Sequence, residues 1–103
     1  MDTARQMQSR MKEAQEAGAR VQVEGNAGGG MVVAQANGKG EILRINIEPT
    51  LVEMGDKGMI EDLVTAAVNQ ALARGREAMQ EEMKKVTGGM PVPFDLSNLN
   101  LGG

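Results

Sequence analysis

The side chains best suited to chemistry in this sequence are its cations. Arg5, Arg10, Lys12 and Arg20 fall in the first twenty residues, and Arg74, Arg76, Lys84 and Lys85 fall in a second stretch. Eight of the eleven Lys and Arg residues therefore occupy two segments. Grouped cations hold polyanions, because a phosphate backbone exchanges its condensed counterions for them. A second reading needs only the fold: Lys84 and Lys85 suit a helix C-terminus, and Glu81 with Lys85 forms an i,i+4 pair. Glu13, Glu16, Glu77, Glu81 and Glu82 keep the local excess modest, and the whole chain carries a formal charge of −3. A local cluster still acts on a ligand, since charges beyond a Debye length of ~8 Å are screened at physiological salt.

Other chemistries have little to build on. The chain lacks His, Cys, Tyr and Trp, and Ser9 and Ser97 have no base to activate them. The carboxylate pairs Glu61-Asp62 and Glu81-Glu82 hold adjacent positions, which diverge by ~100° on a helix instead of sharing a site. Without imidazole or thiolate, no transition-metal site is expected. We expect no catalytic residue, no cofactor, no metal and no small-molecule substrate. The run Gly25 to Gly30 invites a phosphate-loop reading, but no Gly-Lys-Ser/Thr follows it and the next element is a strand. Glycine's access to positive φ suits it to a chain reversal instead. Lys39 in Asn37-Gly38-Lys39-Gly40 is read as solubilising a turn. No aromatic interleaves the basic positions, which argues against a stacking platform for single-stranded bases.

These cations need elements to hold them. Residues 2–19 carry Ala4, Met7, Met11, Ala14 and Gly18 at alternating spacings of three and four, a narrow stripe that predicts a helix pairing with one other helix. Strands are expected over 20–26, 30–37 and 40–47, with Asn37-Gly38 predicting a type I′ hairpin turn. In the third strand strict alternation places Leu43, Ile45 and Ile47 on one face and Ile42, Arg44 and Asn46 on the other. Pro49 ends the strand. Asp56 is the expected N-cap of a helix over 57–87.

The two halves of that last helix differ. Ile60, Leu63, Val64, Ala67, Val68, Ala71 and Leu72 form a broad apolar arc, whereas Gly75, Met79, Met83 and Val86 form a slim seam. About 30 helical residues span ~45 Å, longer than a globule of ~30 Å diameter built from so short a chain. The C-terminal half must therefore project, and its natural partner is the first helix. The fold class is α+β: α-β-β-β-α, a three-stranded antiparallel meander with a long C-terminal helix and a helical arm. One domain is expected over 1–87, with a flexible tail over 88–103.

Burial argues for a second copy of the chain. A domain of this length buries only about two-thirds of its unfolded surface, and its one aromatic is Phe94 in the tail. Aliphatic side chains bury less area each, so dimerisation is expected. Absence of cysteine fits a reducing cytosol. No apolar run approaches the ~20 residues of a membrane span, and the polar start MDTARQMQSR is unlike a signal peptide. A cytoplasmic protein without a membrane partner is expected.

Several motifs in series carry a resemblance: Val23-Glu24-Gly25-Asn26-Ala27-Gly28-Gly29-Gly30, Asn37-Gly38-Lys39-Gly40, Ile47-Glu48-Pro49, Ile60-Glu61-Asp62-Leu63-Val64, Ala67-Val68-Asn69-Gln70-Ala71 and Thr87-Gly88-Gly89. Together they resemble the YbaB/EbfC family of bacterial nucleoid-associated proteins. The resemblance implies a tweezer-shaped homodimer, joined through its β core, that binds double-stranded DNA with little sequence preference. It implies a nucleoid location, an influence on DNA conformation and gene expression, and phosphate contacts from Arg5, Arg10, Lys12, Arg20, Arg74, Arg76, Lys84 and Lys85. A different class stays open: a protein-interaction adaptor in replication or repair, gripping its partner through the Met seams.

Overall fold

In the computed structural model, which describes residues 2–87, the chain runs α1 (Asp2–Arg20), β1 (Gln22–Ala27), β2 (Val32–Asn37), β3 (Ile42–Ile47), α2 (Pro49–Met54) and α3 (Lys57–Thr87). The tail expected over 88–103 lies outside the described residues. The strands form one antiparallel sheet in the order β1-β2-β3, so the architecture is the α+β meander that the residue pattern predicts. Each strand begins two residues later than expected. At the first, α1 runs on to Arg20 and the Val21 N–H still reaches the helical carbonyls of Ala17 and Gly18.

The structure corrects the sequence reading at three places. Pro49 ends β3 but also opens α2, because its fixed φ and missing N–H suit the first helical turn. That short helix carries the fully buried Leu51 into the end of the core and stops at Gly55 (φ 68°). The β2–β3 turn is not type I′: among its residues only Gly40 has positive φ, at 85°. The Gly40 N–H donates to Asn37 O and the Asn37 N–H to Glu41 O, the pattern of a three-residue loop with a left-handed glycine. A bulge then shifts the register, so that Ala36 pairs with Ile42 while Gln35 pairs with Arg44. Ile42 is thereby turned toward the core, where it packs as a half-buried residue, opposite to the face that strict alternation assigns it.

α3 begins where expected, the Asp56 carboxylate accepting the Met59 N–H at 3.0 Å. Its first half lies across β1 and β2 and barely reaches β3. The register puts Val23, Gly25 and Ala27 beside Ala36, Ala34 and Val32 on the same face. The last three, with Ala67, Ala71 and Leu51, make the fully buried core. Small residues bring helix and sheet close together, and Gly25 sets the limit: a Cβ there would collide with Ala67 O and Ala71 N. Because α3 stops short of β3, Ile45 and Ile47, which pair with Ala34 and Val32 on the face the helix covers, stay 40% and 36% exposed. Leu43, the extra residue of the bulge, is 47% exposed, and Val52 and Met54 of α2 are exposed as well.

The two sheet edges are treated differently. Arg74 Nη1 donates to the carbonyl of Glu24 at 2.7 Å, and Gln70 Oε1 accepts the Asn26 N–H at 2.7 Å. Side chains of α3 thus occupy the outer backbone groups of β1. Among the described residues no such bond reaches the backbone of β3.

Candidate nucleic-acid interface

Beyond the sheet, the second half of α3 pairs with α1 as an arm. The seam is made by Ala14, Gly18 and Val86, all buried, with Met79 laid directly on Gly18, where a Cβ would meet its Sδ. At the base of the arm the β2–β3 turn is wedged between the two helices. The Gly38 N–H donates to Gly18 O at 2.9 Å, and Gly75 packs on Asn37 O so closely that a Cβ would collide with it. Asn37, only 6% exposed, holds the turn: its Oδ1 accepts from the Lys39 and Glu41 N–H groups and its Nδ2 donates to Glu41 Oε1. The backbone contacts of Gly38 with Gly18 and of Gly75 with Asn37 tie the base of the arm to the core, which sets where the helices present their cations.

Those cations lie on different sides of the arm. Arg10, Arg20 and Lys85 line one open groove of about 450 Å³ together with Glu13 and Glu82. Lys12 lines a second groove of about 610 Å³ with Gln15, Glu16, Met79 and Met83, and there it is joined by Lys39. Arg5 and Arg76 are exposed. Lys84 pairs with Glu81 at 3.3 Å and Lys85 with Glu82 at 2.8 Å; exposed pairs of this kind are worth little and give way to a stronger anion. Arg74 differs from the other seven, since one of its nitrogens is bonded to the edge of β1.

Lys39 escaped the sequence reading as part of this group. Nothing local marks it; it reaches the arm because the turn that carries it docks against Gly18. Overall, segments 2–20 and 74–87 hold eight basic against six acidic residues, a net of +2, while segment 21–73 holds three against seven, a net of −4. The arm is the electropositive part of an acidic protein. Among the described residues there is no cluster of three or more His, Cys, Asp or Glu able to hold a metal ion, and no helix is long and apolar enough to cross a membrane.

Comparison with known proteins gives the family. Residues 1–90 match the YbaB/EbfC DNA-binding family. A nucleoid-associated protein of Desulfotalea psychrophila is 48% identical over 98 residues, covering 95% of this chain and 92% of the relative. Another, from Caldanaerobacter subterraneus, is 50% identical over 90 residues, covering 87% and 81%. In structure, the chain resembles the crystal structure of a Helicobacter pylori protein with a TM-score of 0.62 at 25% identity, over 73% of this chain and 87% of that one. With the family matched along the whole described length and relatives near half identity, the chain belongs to the YbaB/EbfC family of nucleoid-associated, DNA-binding proteins.

Proposed function

We propose that the protein binds double-stranded DNA with little sequence preference as a cytoplasmic, nucleoid-associated homodimer. Its arms grip the phosphate backbone, and binding alters DNA conformation, nucleoid organisation and gene expression. The observation that carries this reading is the segregation of charge, with a net of +2 on the arm segments and −4 on the remainder of residues 2–87. Arg5, Arg10, Lys12, Arg20, Arg76, Lys84 and Lys85 supply phosphate contacts, with Lys39 added by the fold. Arg74 anchors the sheet edge and offers its remaining N–H groups. Such contacts position a protein without reading sequence.

The dimer is supported by the exposed apolar side chains of β3 and α2 and by the contrast between the two sheet edges. An open, apolar edge strand is an invitation to pair: β3 of a second copy continues the sheet, and the adjoining elements of that copy cover the face that presents Ile45 and Ile47. The surface is part of a single domain over 1–87.

Fluorescence anisotropy with two unrelated duplexes of about 30 base pairs tests the reading. Comparable affinities that fall steeply with salt are expected, and Arg76→Glu or Arg5→Glu weakens binding to both duplexes alike. No binding at low salt, or loss confined to one sequence, refutes it. The Met79–Met83 floor of the second groove favours the adaptor reading. In that case partners survive nuclease treatment of a lysate before pull-down, whereas DNA-bridged ones vanish.

A further inference from the structure

The arm presents cations on two opposed flanks, and a grip on one duplex uses only one of them. Arg10, Arg20 and Lys85 line the groove on one side of the α1–α3 pair; Lys12 and Lys39 line the groove on the other. Arg10 and Lys12 are two positions apart on α1, which turns their side chains about 160° from each other. Neither group is a by-product of the seam, since Arg10, Lys12, Arg20, Lys39 and Lys85 are all exposed.

We propose that each arm lies between two DNA duplexes, one against each flank, and so bridges separate DNA segments; this rests on the DNA-binding reading above. Stiffness is the physical reason. An arm is one helix thick from flank to flank, about 10–12 Å, and duplex DNA has a persistence length of about 150 base pairs. A single duplex cannot curl around so thin a rod to meet both sets of cations. Two duplexes side by side repel each other, and a rigid layer carrying positive charge on both faces relieves that repulsion where it is greatest. The arm qualifies as such a layer because Gly18, Gly38 and Gly75 lock its base to the core. The acidic core lies beyond the contact, so the duplexes are confined to the arm.

The experiment uses the full chain, one biotinylated duplex on streptavidin beads and a second, fluorescent duplex of unrelated sequence. Single-duplex affinity is measured by anisotropy in parallel. Two variants reverse one flank each: Arg10→Glu with Arg20→Glu, and Lys12→Glu with Lys39→Glu. Far-UV circular dichroism checks that both remain folded. The wild type captures the second duplex. Each variant still binds one duplex, weaker by about three- to tenfold as phosphate contacts are lost, and its capture of the second falls by tenfold or more.

Three results overturn the inference. The wild type binds one duplex but captures no second. A one-flank variant captures as well as the wild type, which would assign bridging to the two arms of a dimer. A one-flank variant loses single-duplex binding outright, which would mean that both flanks hold the same duplex. Failure of the wild type to bind even one duplex overturns the DNA-binding reading, and bridging with it.

Discussion

Replacing Gly25 with alanine is the sharpest test of how closely α3 lies on the sheet. The added Cβ meets three backbone atoms of α3, colliding with Ala67 O and Ala71 N and lying 3.0 Å from Ala71 Cα. Backbone atoms cannot rotate aside, so the helix itself must lift, loosening its contact with Val32, Ala34 and Ala36. Overpacking of this severity belongs at the upper end of the usual cost, about 3 kcal/mol. Alanine returns about 0.5–1 kcal/mol by restricting the unfolded chain. The net loss is about 2 kcal/mol, a fall in Tm of about 8–16 °C for a domain of this size.

Gly18→Ala provides the contrast. Its Cβ meets Met79 Sδ and Cε, the end of a flexible side chain that can change rotamer, and alanine favours the helix by about 1 kcal/mol. That variant should stay within a few degrees of the wild type. Thermal melts by far-UV circular dichroism measure both, at one fixed protein concentration, because association shifts apparent stability. Equal Tm values for Gly25→Ala and the wild type would refute the account of the helix–sheet contact.

Two further outcomes follow from the same structure. Ile45→Asp with Ile47→Asp, at positions 40% and 36% exposed in the single chain, should give a folded monomer by sedimentation with weakened DNA binding; a persistent dimer would move the interface away from β3. Asn37→Ala removes the acceptor of two N–H groups and the donor to Glu41, which should cost about 1–3 kcal/mol, read as a lowered urea midpoint with an unchanged m-value.

The sequence by itself determined α1, the three strands and α3 in their order, because each is written in local periodicity, whereas the six-residue α2 is too short to carry a period of its own. Of the stripe that the spacing predicts, Ala14 and Gly18 are buried in the seam, Gly18 beneath Met79, whereas Met7 is half-buried and Ala4 and Met11 stay exposed. The broad arc from Ile60 to Leu72 narrows at Gly75, where the sheet ends and the arm begins. The concentration of Arg and Lys on those two segments was equally legible, as was the Asp56 cap. The motifs in series are equally a property of the sequence, and they belong to the family that residues 1–90 match.

Other features depended on contacts between residues distant in the chain. Whether Ile42 faces the core turned on a bulge opposite Gln35 and Ala36, and a period of two carries no mark of an inserted residue. The turn at Asn37 took a wider form than its Asn-Gly dipeptide predicts, because Gly38 bonds to Gly18 and Asn37 bonds around its own loop. Arg74 and Lys39 owe their positions to the same cause: Arg74 is bonded to the edge of β1, fifty residues away, and Lys39 is carried to the arm by the docked turn. Periodicity reports which face of an element is apolar. Which neighbour covers that face, and which leaves it bare as on β3, is decided only when helix and sheet meet at a definite distance and angle.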